Sequence, residues 1–155
     1  MKTEYKSPSS LEPASLTSGI RSSLMVHTIV VLISGEGTNL QALIDAQGTV
    51  LPGKIVLVIS NRQKAGGLRR AEAAKISTIY HNLVRYKKEN PNDERKAREL
   101  YDADLAKTIL DTAPSMVVCA GWMHILAPSF LHPLDSAGIP VINLHPALPG
   151  MFNGK

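Results

Sequence analysis

Asn143 and His145 stand two residues apart in Ile142-Asn-Leu-His-Pro146, at the end of a predicted β-strand. Alternation along a strand puts both side chains on one face, and Pro146 biases His145 toward extended backbone. An amide and an imidazole aimed together can stabilise a developing oxyanion and relay a proton, which suits acyl transfer to an amine. The plainer reading of His145 is a hydrogen-bonded structural histidine. A second grouping, Ser34-Gly35-Glu36-Gly37-Thr38-Asn39, joins a predicted strand to a helix. Its glycines could seat a dinucleotide's pyrophosphate on the helix N-terminus. However, Leu40 stands where the third glycine would be, and Ser60-Asn61 ends the second strand without the acid that binds a ribose hydroxyl. A single phosphomonoester fits better, held by backbone N–H groups, the Thr38 hydroxyl and the Asn39 amide. The alternative is a tight turn with Thr38 or Asn39 as N-cap. A third polar strand end is Ala120-Gly-Trp-Met-His124. His27, His81, His124 and His132 form no metal-binding pattern with neighbouring acids, so no metal is expected.

Short apolar runs alternating with stretches of helical period must position these groups. Thr28–Ile33, Lys54–Ser60 and Ser115–Ala120 are apolar throughout, as strands covered on both faces are. Ser77–Tyr80 and Val141–Leu144 read as two further strands. Asn39–Gln47, Gly67–Lys75 and Asp93–Thr112 read as helices, the last with Ala97, Tyr101, Leu105 and Ile109 along one stripe. Ala127–Leu131 reads as a short helix. The order β-α-β-α-β-α-β-α-β predicts an α/β fold: an open, mainly parallel sheet with helices on both faces. Ligands of such sheets bind beyond the carboxyl ends of the strands, where the three polar groupings lie.

The 155 residues are one domain's worth, and the formal charge of +4 is unevenly spread. Residues 1–28 carry three positive and two negative charges, residues 85–98 six and three, and the remainder eight of each. Nucleic-acid binding calls for a broader basic face with interleaved aromatics, and aromatics are 5%. No apolar stretch approaches the ~18 residues of a membrane span. Cys119 has no partner for a disulfide, so a reducing, cytoplasmic setting is expected. Residues 1–25 hold seven serines and no signal-type apolar block; Lys2 and Arg21 leave a transit-peptide reading open.

The segments Val31-Leu-Ile-Ser-Gly-Glu-Gly-Thr-Asn-Leu-Gln-Ala-Leu-Ile-Asp45, Ala120-Gly-Trp-Met-His-Ile-Leu126 and Ile142-Asn-Leu-His-Pro-Ala-Leu-Pro149 resemble phosphoribosylglycinamide formyltransferase, and most closely its fungal form. They match in order and spacing across residues 28–155. The resemblance implies a Rossmann-like formyltransferase fold and transfer of a formyl group from 10-formyltetrahydrofolate to the amine of glycinamide ribonucleotide, in de novo purine synthesis. It implies small-molecule substrates and leaves the oligomeric state open. By the same resemblance, Gly37, Thr38 and Asn39 hold the phosphoribosyl end, and Asn143 and His145 are the catalytic pair, with Asn143 also against the donor. Met123, His124, Ile125 and Leu126 line the folate pocket, with His124 where the family often has Arg, and Arg98 lies near the folate. The family continues beyond these motifs with an aspartate that pairs with the histidine and a loop that closes on the folate. Residues 28–155 are therefore expected to be the N-terminal portion of the domain with an incomplete site, and residues 1–27 an extension, disordered or mis-called. Two other readings are a non-catalytic fragment that binds a phosphorylated ligand, and a related folate-dependent formyltransferase or deformylase with another acceptor.

Overall fold

A computed structural model describes residues 26–143, and its architecture starts from the two longest apolar runs. These form β1 (His27–Ile33) and β2 (Gly53–Ser60), paired in parallel. Around them come α1 (Thr38–Ala46), α2 (Gly66–Ala73), β3 (Ser77–Tyr80), α3 (Leu83–Glu89), α4 (Glu94–Leu110), β4 (Met116–Cys119), α5 (Pro128–Ser136) and β5 (Val141–Asn143). The five strands lie in the order β3-β2-β1-β4-β5, every pairing parallel. This is the open α/β sheet that the sequence predicts.

Both faces are covered, which is why the central strands read as unbroken apolar runs. Val30, Leu32, Leu57, Ile59 and Val117 pack against α3, α4 and α5 through Tyr86, Tyr101, Leu105, Phe130 and Leu134. Ile29, Val31, Ile33, Ile55 and Val58 pack on the other face against Leu40 of α1 and Ala71 of α2. Each fully buried Val, Leu or Ile contributes about 1.5–3 kcal/mol. A bulge interrupts the alternation: Ile29 pairs with Ile55 but Val30 pairs with Leu57, so Val56 is the extra residue. Beyond it the two strands run level to Ile33 opposite Ser60, and the loops that follow them lie side by side.

Several boundaries differ from expectation. The predicted helix over Ala127–Leu131 runs on to Ser136, with Pro133 inside it. Asp93 is not the first residue of α4 but its N-cap, its side chain accepting from Lys96 N–H at 2.9 Å. The helix α3 was not expected. Asn82 caps it by accepting from Val84 N–H, and Tyr86 is its one buried residue. Leu144, expected to end the fifth strand, lies outside the described residues. No helix among the described residues is long and apolar enough to cross a membrane.

From β1 the chain passes to β2 on one side, and it later returns to β4 on the other. The connections therefore diverge at the carboxyl ends of β1 and β4, which opens a crevice there.

Candidate functional site

The loop after β1 is shaped by glycines. Gly37 takes the left-handed conformation, φ 74°, and is the N-cap of α1 without any side-chain cap. The expected alternative, Thr38 or Asn39 as cap, is thereby overturned: both are the first exposed residues of the helix itself. The first-turn N–H groups are thus left without side-chain acceptors, in the arrangement that suits an anion. Gly37 also lies against Gly67 at the start of α2; a Cβ on Gly37 would come within 2.5 Å of the Gly67 Cα. Gly67 N–H donates to Gly35 O at 3.1 Å, and Arg70 Nε donates to Glu36 O at 2.8 Å. Arg70 also reaches Gln41 Oε1 from the same helix.

Ser34 joins this loop to the one after β4. Its N–H donates to Gly121 O at 3.1 Å, and its buried Oγ accepts from Met123 N–H at 2.8 Å. The two loops are therefore stitched across the crevice by a single residue. Gly121, φ 79°, turns the chain out of β4 into the segment Trp122–Ala127.

That segment is held at its far end by Asp102 of α4, a carboxylate with 0% side-chain exposure. Oδ1 lies 2.8 Å from His124 Nε2, and Oδ2 accepts from Ala127 N–H at 2.6 Å. A carboxylate only accepts, so Nε2 carries the proton. The His124 side chain is 7% exposed and has Tyr101 and Trp122 edge-on, with ring centroids at 5.1 and 6.2 Å. Beyond His81, tilted against Tyr101 with ring centroids at 4.2 Å, the aromatic cluster continues to Tyr86, whose hydroxyl donates to Asp104.

Met123, His124, Ile125 and Leu126 line a cavity of about 420 Å³ together with Cys119 and Asn143 from the ends of β4 and β5. Arg98 borders a neighbouring groove of about 620 Å³ shared with Ile125 and Leu126. The groove's polar edge is mixed in charge, Arg95 and Arg98 standing with Glu94 and Glu99 along α4. Burial pushes the Cys119 thiol up to about 11, so it lines the cavity as an inert apolar group. Among the described residues, Trp122 Nε1 and Asn61 Oδ1 are buried polar atoms without a partner, both just beyond strand ends. A cleft of about 540 Å³ at the opposite ends of the strands, lined by Ile29, Met116 and Ile142, lies away from these groups.

Of the residues expected from sequence, Gly37, Thr38 and Asn39 thus lie on one side of the crevice, and Met123–Leu126, Arg98 and Asn143 on the other. His145 lies outside the described residues. No cluster of metal-ligating side chains occurs among the described residues. Sequence reasoning included Ser34 in the loop after the first strand without giving it a role, and did not single out Arg70 or Asp102. Asp102 alone left a signal, a charge in the apolar run with Leu105, Ala106 and Ile109 on α4.

Comparison with known proteins bears on this arrangement. The formyl transferase family model matches residues 27–155. A phosphoribosylglycinamide formyltransferase of Schizosaccharomyces pombe is 56% identical over 134 residues, covering 84% of this chain and 63% of its own length. The Saccharomyces cerevisiae protein of that name is 48% identical over 81% of this chain and 61% of its own length. The chain thus spans less than two thirds of these curated relatives. Among solved structures, glycinamide ribonucleotide transformylase 1 of Symbiobacterium toebii superposes with TM-score 0.69 at 34% identity, over 83% of this chain and 56% of that one. The Coxiella burnetii phosphoribosylglycinamide formyltransferase does so with TM-score 0.67 at 39% identity, covering the same shares of the two chains.

Proposed function

The chain belongs to the formyl transferase family, and from that premise we propose that it serves formyl transfer from 10-formyltetrahydrofolate to the amine of glycinamide ribonucleotide, a step of purine synthesis in the cytoplasm. One observation carries the reading furthest. The uncapped first turn of α1 and the apolar cavity under Met123–Leu126 open on one crevice, joined through Ser34.

In this reading Gly37, Thr38 and Asn39 hold the phosphate, and the helix dipole favours its charge. The cavity takes the ring system of the donor, and Arg98 takes its anionic tail. The amine attacks the formyl carbon while its lone pair forms the new C–N bond. Asn143, at the cavity wall, donates to the formyl oxygen as negative charge builds there. His145 assists as a cation, and the proton released by the amine passes to the departing nitrogen as the old C–N bond breaks.

Calorimetric titration of the 155-residue chain with glycinamide ribonucleotide and with tetrahydrofolate, followed by a formyl-transfer assay, tests this. The expected result is separate binding of both ligands and loss of ribonucleotide binding in Thr38→Ala/Asn39→Ala. Activity unchanged in that double variant would show that the acceptor is not a phosphoribosyl amine. Ribonucleotide binding without any turnover would leave a phosphate-ligand binder in place of an enzyme.

A further inference from the structure

In the segment after β4, Trp122 and Leu126 turn toward the core as apolar residues should, but the residues between them are inverted. The polar residue His124 is buried, while Met123 and Ile125 are 75% and 79% exposed. A free loop would settle the other way round, because burying large apolar side chains is favourable and burying a polar ring is not unless it is hydrogen-bonded. Two anchors impose the inversion. Ser34 Oγ fixes Met123 N–H, and Asp102 fixes both the His124 ring and Ala127 N–H. Ile125 and Leu126, which border both the cavity and the Arg98 groove, lie between the two points held by Asp102.

We propose that Asp102 and His124 are a positioning pair for the formyl donor: they hold Met123 and Ile125 outward, so that the apolar surface the donor covers exists before it arrives. This rests on the donor-site reading above. Neither residue needs to touch the reacting atoms. The pair works by preorganisation, which spares the ligand the cost of ordering the segment. The two oxygens of Asp102 are used separately, so losing its charge weakens both attachments, whereas a histidine replacement that keeps an N–H toward Oδ1 preserves the geometry.

The test compares the parental chain with Asp102→Asn, His124→Gln and His124→Leu by hydrogen exchange and calorimetry. Asp102→Asn and His124→Leu are expected to speed amide exchange in residues 122–127 about tenfold, with residues 38–46 unchanged. Tetrahydrofolate affinity should fall about tenfold and ribonucleotide affinity stay within about twofold, with His124→Gln near the parental values. A merely structural role would loosen both segments and weaken both ligands together, and that result would overturn the proposal. So would unchanged exchange in residues 122–127 in both disruptive variants. If the parental chain binds no tetrahydrofolate, the donor-site reading fails; the exchange data then decide independently whether the pair orders the segment. Should Asp102→Asn fail to fold, the contrast between His124→Gln and His124→Leu decides it.

Discussion

The loops at the carboxyl ends of β1 and β4 face one crevice but are held in opposite ways. The first is fixed at its own backbone: a left-handed glycine, a contact between two Cα atoms, and main-chain oxygens that accept from Gly67 N–H and the Arg70 side chain. The second is fixed by side chains, with Ser34 at one end and the buried Asp102 at the other. The difference fits the ligands proposed for them. A phosphate is small, and every amide in its cradle must be aimed, which backbone geometry does without side-chain freedom. A large apolar ligand needs surface held open, and that takes anchors strong enough to keep Met123 and Ile125 in water.

If this contrast is right, the largest loss comes from the second loop's anchor. Asp102→Ala should cost about 3–4 kcal/mol, because it leaves the buried His124 ring and the Ala127 N–H without their acceptor, measured by urea unfolding. A loss below about 1 kcal/mol would mean that water replaces the carboxylate at no great cost. Gly37→Ala should cost about 2–3 kcal/mol, from its positive φ and the Gly67 contact, and should abolish ribonucleotide binding. Full retention of binding would show that the first loop is not fixed by its backbone. Ser34→Ala, at the junction, should cost about 1 kcal/mol and weaken both ligands, since it alone serves both loops; an effect on one ligand only would separate them.

The smallest effect is on pH dependence. Burial holds the His81 imidazole below its ordinary value of 6.5, against the raising influence of Tyr101 O, Asp104 and Asp102, while the His124 ring lowers it further. The unfolded chain therefore takes up a proton near pH 6.5 that the folded chain resists. The stability associated with this group is complete above that pH and declines as pH falls below it, until folded His81 also protonates. Unfolding curves at pH 7.5 and 5.5 should show a smaller decline in His81→Gln than in the parental chain. An equal decline would place the pH sensitivity elsewhere.

What the sequence disclosed follows from which physics is local. β1, β2 and β4 were legible because strands buried on both faces must be apolar at every position. The stripe of α4 was legible because Ala97, Tyr101, Leu105 and Ile109 repeat along one helix face. The helix α3 was not, because seven residues with Tyr86 alone buried leave no period to read. The glycine loop announced itself, since Gly35 and Gly37 have few other reasons to flank a strand end. The pairing of Asp102 with His124 could not be read, because the two are 22 residues apart and their meeting depends on how α4 docks on the sheet. Val56 likewise gave no sign that it would be the extra residue of a bulge.

The contact between Gly37 and Gly67 has a consequence for the order of folding. Arg70 and Glu36, which close over it, are 34 residues apart in sequence. The first loop therefore cannot take its final shape until β2 has paired with β1 and α2 has docked beside α1. During refolding, capture of a phosphorylated ligand should lag behind helix formation and coincide with completion of the β1–β2 half of the sheet.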